Sequence, residues 1–133
     1  MAICTHKNTD KVPEPTLRRL PWYLSCAKLM REKNERFVSS TQISKQINID
    51  ASQIAKDLSY VDIAGRTRVG YEIDVLVRVL EDFLGFTNLH RAYLFGVGSL
   101  GGALLRDSGL VHFGLQLVGA FDINPDLVGI EIN

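Results

Sequence analysis

Apolar residues recur at three- and four-residue steps through most of the first 85 positions, and this spacing predicts amphipathic helices. The first stripe consists of Leu17, Leu20, Leu24 and Ala27. It predicts a helix over about residues 15–33, with Pro15 in the first turn, where a missing N–H costs nothing.

Two short helices are predicted next, each with its own N-terminal cap. Ser39 and Gln42 have the spacing of a capping box, and Asp50 gives a second N-cap signal. The apolar stripe that follows Asp50 consists of Ile54, Leu58 and Val61. Two capped helices separated by about three residues are the arrangement of a helix-turn-helix.

A hairpin and a further helix are predicted between residues 63 and 85. Residues 63–71 place β-branched residues on either side of a centre that contains glycine and arginine, which is typical of a hairpin. Asp74 is expected to cap a helix that Gly85 ends. A hairpin after a helix-turn-helix forms a winged helix.

The hydrophobic pattern changes after residue 90. Residues 92–95 and 115–121 are short apolar runs, typical of buried parallel strands, and a glycine-rich stretch with a helical pattern separates them. We therefore predict a mixed α/β chain, in which a winged helix-turn-helix precedes the first strand–helix–strand unit of a Rossmann domain. The predicted segments are a flexible tail at 1–12, a winged-helix domain at 13–85, a linker at 86–90 and a partial Rossmann domain at 91–133.

The charges divide in the same way. The 133 residues contain 15 Lys and Arg against 15 Asp and Glu, a net charge of zero. Residues 1–70 hold twelve basic against seven acidic residues, a net of +5, whereas residues 71–133 hold three against eight, a net of −5. A basic first half favours a polyanionic partner for that half.

The sequence gives no sign of membrane attachment or secretion. No apolar run approaches the roughly 18 residues of a membrane-spanning helix. The N-terminus has no secretory signal pattern, so we expect a cytoplasmic protein in which Cys4 and Cys26 need no disulfide.

The glycine-rich stretch has the spacing of a dinucleotide-binding fingerprint. Gly96 permits the tight turn, Gly98 lets the backbone approach a pyrophosphate, and Gly101 lets helix and strand pack closely. The N–H groups at the start of the helix can then bind phosphate oxygens. The other residues of the predicted nucleotide loop are Val97, Ser99 and Leu100.

Asp122 ends the second strand, 21 residues beyond Gly101, where the fingerprint requires an acid that binds ribose. A carboxylate there can accept hydrogen bonds from the ribose hydroxyls and would repel a 2′-phosphate. We therefore predict NAD(H) rather than NADP(H) as the ligand. A glycine-rich turn without a ligand is the alternative, and the strand–helix–strand context argues against it.

The second helix of the predicted helix-turn-helix has candidate DNA contacts on its exposed side. These are Ser52, Gln53 and Lys56, which fall opposite Ile54 and Leu58. Serine and glutamine can form hydrogen bonds with base edges, and lysine can reach a phosphate or a guanine.

Three arginines outside that helix are further candidates. Arg66 and Arg68 lie at the predicted wing tip, which suits an electronegative minor groove, and Arg19 can contact a phosphate from the first helix. A solvated helix face and an ordinary charged turn are the alternative interpretation of all these residues.

Metal binding and catalysis find little support in the residues present. Cys4 and His6 are too few to form a metal site, so no metal is expected. His90 and His112 have no partner at a catalytic spacing, and no catalytic residue is predicted.

Several segments together resemble Rex, the family of redox-sensing transcriptional repressors. They are residues 11–21 (KVPEPTLRRLP), 38–40 (VSS), 53–60 (QIAKDLSY), 69–71 (VGY), the glycine fingerprint and residues 120–129 (AFDINPDLVG). The resemblance covers residues 11–133 and therefore all but the predicted tail.

The resemblance implies a bacterial homodimer that binds an inverted-repeat DNA operator and is released when NADH rises, with NAD(H) as an effector. Arg19 and Lys56 match family positions that contact DNA, and the glycine fingerprint with Asp122 matches the nucleotide site. The chain departs from the family at Ala55, where a second basic residue is frequent, and at Arg68, where glycine is common.

Two other functions stay open on the sequence alone. One is an NAD-dependent oxidoreductase with an appended helical domain, which would need a proton donor that is not identifiable here. The other is a DNA-binding module with a Rossmann remnant that binds nothing. Residues 91–133 are too few for a complete Rossmann domain, because two strands and one helix cannot cover both faces of a sheet. We therefore expect a truncated repressor without the nicotinamide half or the dimer-forming segment.

Overall fold

The computed structural model describes residues 12–130. The chain divides into two compact units between Leu84 and Gly85, and each unit is described by itself. The predicted tail lies outside the described residues except for Val12, which is buried. Residues 131–133 of the predicted Rossmann segment also lie outside them.

Between residues 12 and 84, the described part of the first unit, the chain forms four helices and one small sheet. The helices are α1 (Glu14–Glu32), α2 (Ser40–Ile47), α3 (Ala51–Ser59) and α4 (Ile73–Phe83). The strands β1 (Phe37–Val38) and β2 (Tyr71–Glu72) pair antiparallel. The helix predicted at 15–33 is therefore confirmed to within one residue at each end.

The two predicted caps of the helix-turn-helix are confirmed. The Ser39 hydroxyl accepts a hydrogen bond from the Gln42 N–H at 3.1 Å, and the Gln42 Oε1 accepts one from the Ser39 N–H at 2.8 Å. The Asp50 carboxylate accepts from the N–H groups of Ser52 and Gln53 at the start of α3. These contacts satisfy N–H groups that have no partner inside the helices.

The core of the first unit lies where α1 packs against α2, α3 and α4. Each predicted apolar stripe contributes at least one buried side chain to this core. The side chains with no exposed surface include Leu20, Tyr23, Ile43, Ile54, Leu58, Leu76 and Leu80. The stripes read from the sequence therefore face this core.

The hairpin predicted at 63–71 is wrong in its pairing. A single antiparallel bridge between Arg66 and Gly70 closes a tight turn, and β2 pairs with β1 rather than with residues 63–65. Ile63 is buried, and a Cβ on Gly70 would lie 2.4 Å from the Val38 carbonyl oxygen. The distant strand β1 therefore supplies the hydrogen-bonding partner that the local pattern assigned to the hairpin.

The predicted cap of α4 is also wrong. Helix α4 begins at Ile73 with Glu72 at the N-cap position, and Asp74 lies inside the first turn. An acid in the first turn interacts favourably with the helix dipole whether or not it caps the helix. The predicted stop is observed, since Gly85 follows the C-cap Leu84 with a positive φ of 78°.

The second unit has the predicted order of strand, helix and strand. Its regular elements are β3 (His90–Phe95), α5 (Ser99–Leu105) and β4 (Leu115–Phe121). Two 3-10 helices, Ser108–Phe113 and Pro125–Leu127, precede and follow β4. The two strands are parallel, with His90 opposite Leu115 and Phe95 opposite Phe121.

The strands of the second unit are not buried as predicted. Tyr93 is 56% exposed, Phe95 79% and Phe121 54%, although their rings contact each other. A two-stranded sheet with one seven-residue helix has too little structure to cover both faces. The apolar runs therefore predicted the strands correctly and their burial incorrectly.

Candidate functional site

A buried carboxylate joins the first helix to α3. Asp57 has no exposed surface, and its two oxygens accept five hydrogen bonds. Oδ1 accepts from Thr16 Oγ1 at 2.9 Å, Arg19 Nη2 at 2.9 Å and Gln53 Nε2 at 2.8 Å. Oδ2 accepts from Arg19 Nε and from the Tyr23 hydroxyl, each at 2.6 Å. A carboxylate offers about four lone-pair positions, so these donors saturate it.

The hydrogen bonds keep this buried carboxylate charged. Burial by itself raises the pKa of Asp57, but the donors led by Arg19 and Tyr23 outweigh it and lower the pKa to about 2. The same contact raises the pKa of the Arg19 guanidinium. Burial, together with the bond to Asp57, raises the pKa of Tyr23. Asp57 and Arg19 are thus an ionised pair at neutral pH.

Two of the six predicted DNA contacts are engaged by Asp57. Arg19 forms a two-pronged ion pair with it, and only 22% of the Arg19 side chain is exposed. Gln53 directs its amide nitrogen to the same carboxylate. Both side chains are therefore partly engaged within the first unit, at the junction of α1 and α3.

The other candidates on α3 differ from each other. The Ser52 hydroxyl donates a hydrogen bond back to the Asp50 carboxylate, so it supports the start of the helix. Lys56 is exposed, and no ion pair to it is found among the described residues. Lys56 is therefore the cation that α3 presents to solvent.

The turn at 66–70 adds two arginines beside α3. Arg66 and Arg68 are both exposed. Arg66 Nη2 lies 4.0 Å from Glu72 Oε2, and 71% of the Arg66 side chain is exposed. Arg68 has a positive φ of 65°. A cleft of about 530 Å³ separates this turn from Ala55 and Ser59 of α3, and both arginines line it. The first unit thus combines a helix and a basic turn on either side of one cleft.

Asp57 is the residue that sequence reasoning missed. It lies three residues after Ile54 and one before Leu58, so its position falls within the apolar stripe of α3. A charged residue on a buried face requires partners, and that spacing is the signal that was available. The identity of the partners on α1 could not be read from spacing, because they lie 34 to 41 residues away.

The glycine fingerprint forms a tight loop between β3 and α5. Gly96 has a positive φ of 94°, and Gly98 is the N-cap of α5. A Cβ on Gly101 would lie 2.0 Å from the Gly96 carbonyl oxygen, so only glycine permits this approach. Around Gly96 and Gly98 a Cβ would meet no heavy atom within 4 Å, so the outer side of the loop is open. Ser99 and Leu100 are exposed at the start of α5.

Asp122 lies beside this loop. Its Oδ2 accepts a hydrogen bond from the Val97 N–H at 2.6 Å, and its Oδ1 accepts one from the Asn124 N–H at 2.8 Å. These two bonds, that of Val97 first, lower the pKa of Asp122. The fold therefore brings the acid and the glycine loop together, as the spacing predicted, and leaves the carboxylate exposed.

An open cleft of about 520 Å³ runs from the loop along β4. The residues that line it include Val97, Leu105, Leu117, Asp122 and Val128. Its size lies within the range of small-molecule sites, and its lining joins apolar side chains to one acid. Within residues 12–130, no group of His, Cys, Asp and Glu has the arrangement of a metal site. No helix in the same range is long and apolar enough to span a bilayer.

One protein-family model matches part of the first unit. The model of a family described as putative DNA-binding protein N-terminus matches residues 11–59. This segment contains α1, α2 and α3 and therefore the whole Asp57 network.

Curated proteins named redox-sensing transcriptional repressor Rex are similar to nearly the whole chain. The one from Bacteroides fragilis is 77% identical over 128 residues, which are 96% of this chain and 58% of that protein. The one from Porphyromonas gingivalis is 63% identical over 123 residues, 92% of this chain and 56% of that protein. This chain thus spans somewhat more than half the length of the curated relatives it matches.

Solved structures show the same fold. A crystal structure of RSP in complex with β-NAD+ and operator DNA has a TM-score of 0.85 and 31% identity, covering 91% of this chain and 56% of RSP. RSP in complex with β-NADH gives a TM-score of 0.81. RSP is described as a Rex-family repressor. The predicted fold class and the resemblance to the Rex family are confirmed.

Proposed function

Because the chain resembles Rex repressors along nearly its whole length, we propose that it is the DNA-binding and nucleotide-binding part of a transcriptional repressor. This repressor senses the cellular ratio of NADH to NAD+ and leaves its operator when NADH rises. One observation carries the proposal: a basic helix-turn-helix with a short wing and a glycine loop joined to Asp122 occur in a single chain.

The predicted winged-helix domain, residues 13–85, provides the DNA contacts. Lys56 and the exposed arginines Arg66 and Arg68 are placed to neutralise phosphates or enter a groove, with α3 as the recognition helix. Arg19 and Ser52 support the packing and the start of that helix. Arg19 donates to the duplex with its remaining N–H groups, whereas the Ser52 hydroxyl, whose hydrogen is directed to Asp50, only accepts. A homodimer would place two such helices about one helical turn apart on an inverted repeat.

The predicted partial Rossmann domain, residues 91–133, provides the nucleotide contacts. The open outer side of the loop at Gly96 and Gly98 leaves room for a pyrophosphate close to the backbone. Val97, Ser99, Leu100 and Gly101 complete that loop. Asp122 accepts hydrogen bonds from the adenosine ribose and thereby favours NAD(H), and its exposed carboxylate keeps lone pairs beyond the bonds from Val97 and Asn124. These residues fit the nucleotide. We propose no catalytic residue and no metal site, and we propose that the protein is cytoplasmic.

The DNA site and the nucleotide site influence each other's binding, and neither catalyses a reaction. If NADH weakens the operator complex by some factor, the operator must weaken NADH binding by the same factor. Oxidised nicotinamide carries a positive charge that NADH lacks, so the two redox states can favour different states of the protein.

The test is a binding titration with the full chain. Duplexes enriched by this chain from a randomised pool are labelled, and their affinity is measured by fluorescence anisotropy with NADH, with NAD+ and without nucleotide. We expect NADH to weaken binding relative to NAD+. The Lys56→Ala variant should bind DNA less tightly and still bind NADH, whereas Asp122→Ala should bind DNA and lose the response to NADH. Equal affinity for DNA in NADH and NAD+ would contradict the proposed switch.

One observation favours a second function, a DNA-binding module whose nucleotide site is inactive. The aromatic residues of the second sheet are 54% to 79% exposed, so this unit has little buried structure to hold a ligand in place. Calorimetry with NADH separates the two functions, because the inactive module gives no binding heat while its affinity for DNA stays intact.

A further inference from the structure

The contact between Asp57 and Gln53 supports an inference about base selection that rests on the proposed DNA-binding function. We propose that Asp57 fixes the side-chain amide of Gln53, so that Gln53 selects adenine at one position of each bound half-site. Asp57 acts here as a positioning residue, and Gln53 is the residue that touches the base.

The chemistry of Asp57 decides which end of the amide faces it. An ionised carboxylate accepts hydrogen bonds and donates none, so only the amide nitrogen of Gln53 can face it. Nε2 lies 2.8 Å from Oδ1. The reverse orientation would bring the Gln53 oxygen against a carboxylate oxygen, with two acceptors in contact.

The carboxylate itself cannot turn to follow a rotated amide. Arg19 binds both of its oxygens, Tyr23 binds Oδ2 and Thr16 binds Oδ1. All four bonds come from α1 side chains that are buried or mostly buried. The orientation of the Gln53 amide is therefore set from behind by a rigid group before any ligand approaches.

The remaining polar atoms of Gln53 are available to a partner. No hydrogen bond to its Oε1, or from the second hydrogen on Nε2, is found among the described residues. Gln53 is the third residue of α3, and the first turn of a recognition helix is the part that contacts base edges. The half-buried Gln53 amide therefore has one acceptor and one donor free, at a helix position that can contact a base edge.

Adenine is the base whose major-groove edge matches this pair. It presents the N6 amino donor beside the N7 acceptor, whereas guanine presents two acceptors there. Thymine offers one acceptor and a methyl group, and cytosine offers one donor. A glutamine free to rotate could turn its N–H groups towards guanine, and the contact with Asp57 prevents that rotation.

The first experiment compares binding sites selected from a randomised 20-base-pair duplex pool by the full chain and by Gln53→Met. Methionine preserves length and helix propensity without the amide. We expect one adenine position in each half-site to lose its preference in Gln53→Met, by roughly 5- to 150-fold. The matched control is Gln46→Met, an exposed glutamine of α2, which should select the wild-type motif.

The second experiment removes the base group instead of the side chain. The adenine at that position is replaced by purine without its 6-amino group. The wild type should lose affinity by about the factor seen for Gln53→Met, and Gln53→Met should lose nothing further, because the two changes remove one interaction.

The third experiment tests the positioning contact. Asparagine at position 57 offers an N–H to the Gln53 oxygen, so Asp57→Asn, with folding verified by circular dichroism, should lower the ratio of adenine to guanine affinity. An unchanged ratio in the folded variant would overturn the role of Asp57.

The remaining outcomes separate this inference from the proposed function. If wild type and Gln53→Met select the same motif, or the sensitive position prefers guanine or thymine, the inference is overturned while DNA binding stands. If the wild-type chain enriches no duplex, the proposed DNA-binding function fails and the inference fails with it.

Discussion

The two units differ in how much of their own apolar surface they bury. Every buried apolar side chain within residues 12–130 lies between Val12 and Leu80, in the first unit. Among residues 85–130 of the second unit, the buried residues are the glycines Gly101, Gly102 and Gly114. Helices around a core thus form a self-contained body from about 70 residues, whereas a two-stranded parallel sheet leaves its faces open. The first unit has a specific polar network inside its core, whereas the second unit combines the β3–β4 pairing with close backbone approaches at glycines.

The largest effect should come from removing the charge inside the first core. Asp57→Ala leaves Arg19 and three further donors without their acceptor, and we expect a loss of about 3–5 kcal/mol in the free energy of unfolding. Denaturant unfolding followed by the fluorescence of Trp22 measures it. The exposed Asp74→Asn is the control and should cost less than about 1 kcal/mol. If Asp57→Ala lowered the free energy of unfolding no more than Asp74→Asn does, the buried network would not stabilise the first unit.

A matched pair of leucines tests the difference in burial directly. Leu80 in α4 has no exposed surface and Leu100 in α5 is 75% exposed. Leu80→Ala should therefore lower stability by about 2–5 kcal/mol, and Leu100→Ala should change it by no more than about 0.5 kcal/mol. Hydrogen exchange of each unit in both variants checks this. A large loss of stability for Leu100→Ala would contradict the exposure of Leu100.

Acid should weaken the first unit through Asp57. Its pKa in the folded chain, about 2, lies below the ordinary value of 3.8, so its stabilisation is present above the ordinary value and is lost as pH falls towards 2. The loss should amount to about 2 kcal/mol. Unfolding curves between pH 6 and pH 2 measure it, with Asp57→Asn as the control. A wild-type curve that matches the control throughout would exclude this role of Asp57.

Adjacent glycines test the backbone packing of the second unit. A Cβ at Gly101 meets the Gly96 carbonyl oxygen at 2.0 Å, whereas the atom nearest to one at Gly102 is the flexible end of Arg106 at 3.5 Å. Gly101→Ala should destabilise the loop by about 1–3 kcal/mol and weaken NADH binding. Gly102→Ala should be tolerated. Amide exchange of residues 94–102 and NADH calorimetry distinguish them, and similar behaviour of both variants would refute the close approach.

Local signals predicted most of the helices and the glycine loop, and failed where distant residues decide. The caps at Ser39 and Asp50 depend on residues three positions apart, so the sequence contains both partners. The wing depends on β1, about 33 residues earlier, and no local signal indicated that pairing.

The site shows the same limit. The spacing of Gly96, Gly98, Gly101 and Asp122 predicted an acid beside a glycine loop, because that motif is a local unit with one strand added. The apolar spacing of α3 contained a signal for the burial of position 57 that the prediction did not use, and the partners Thr16 and Tyr23 belong to another helix. Consequently Arg19 and Gln53 were predicted as free DNA contacts, and their contacts with Asp57 became visible only in three dimensions.

The assignment of DNA binding to the first unit and of nucleotide binding to the second is tested most directly by amide hydrogen exchange of the full chain. Exchange is measured with and without an enriched DNA duplex, and with and without NADH. We predict that DNA slows exchange in α3 and in the turn at 66–70, while NADH slows exchange at 96–101 and beside Asp122. Protection by DNA that is confined to β3 and β4, with α3 unchanged, would contradict the account.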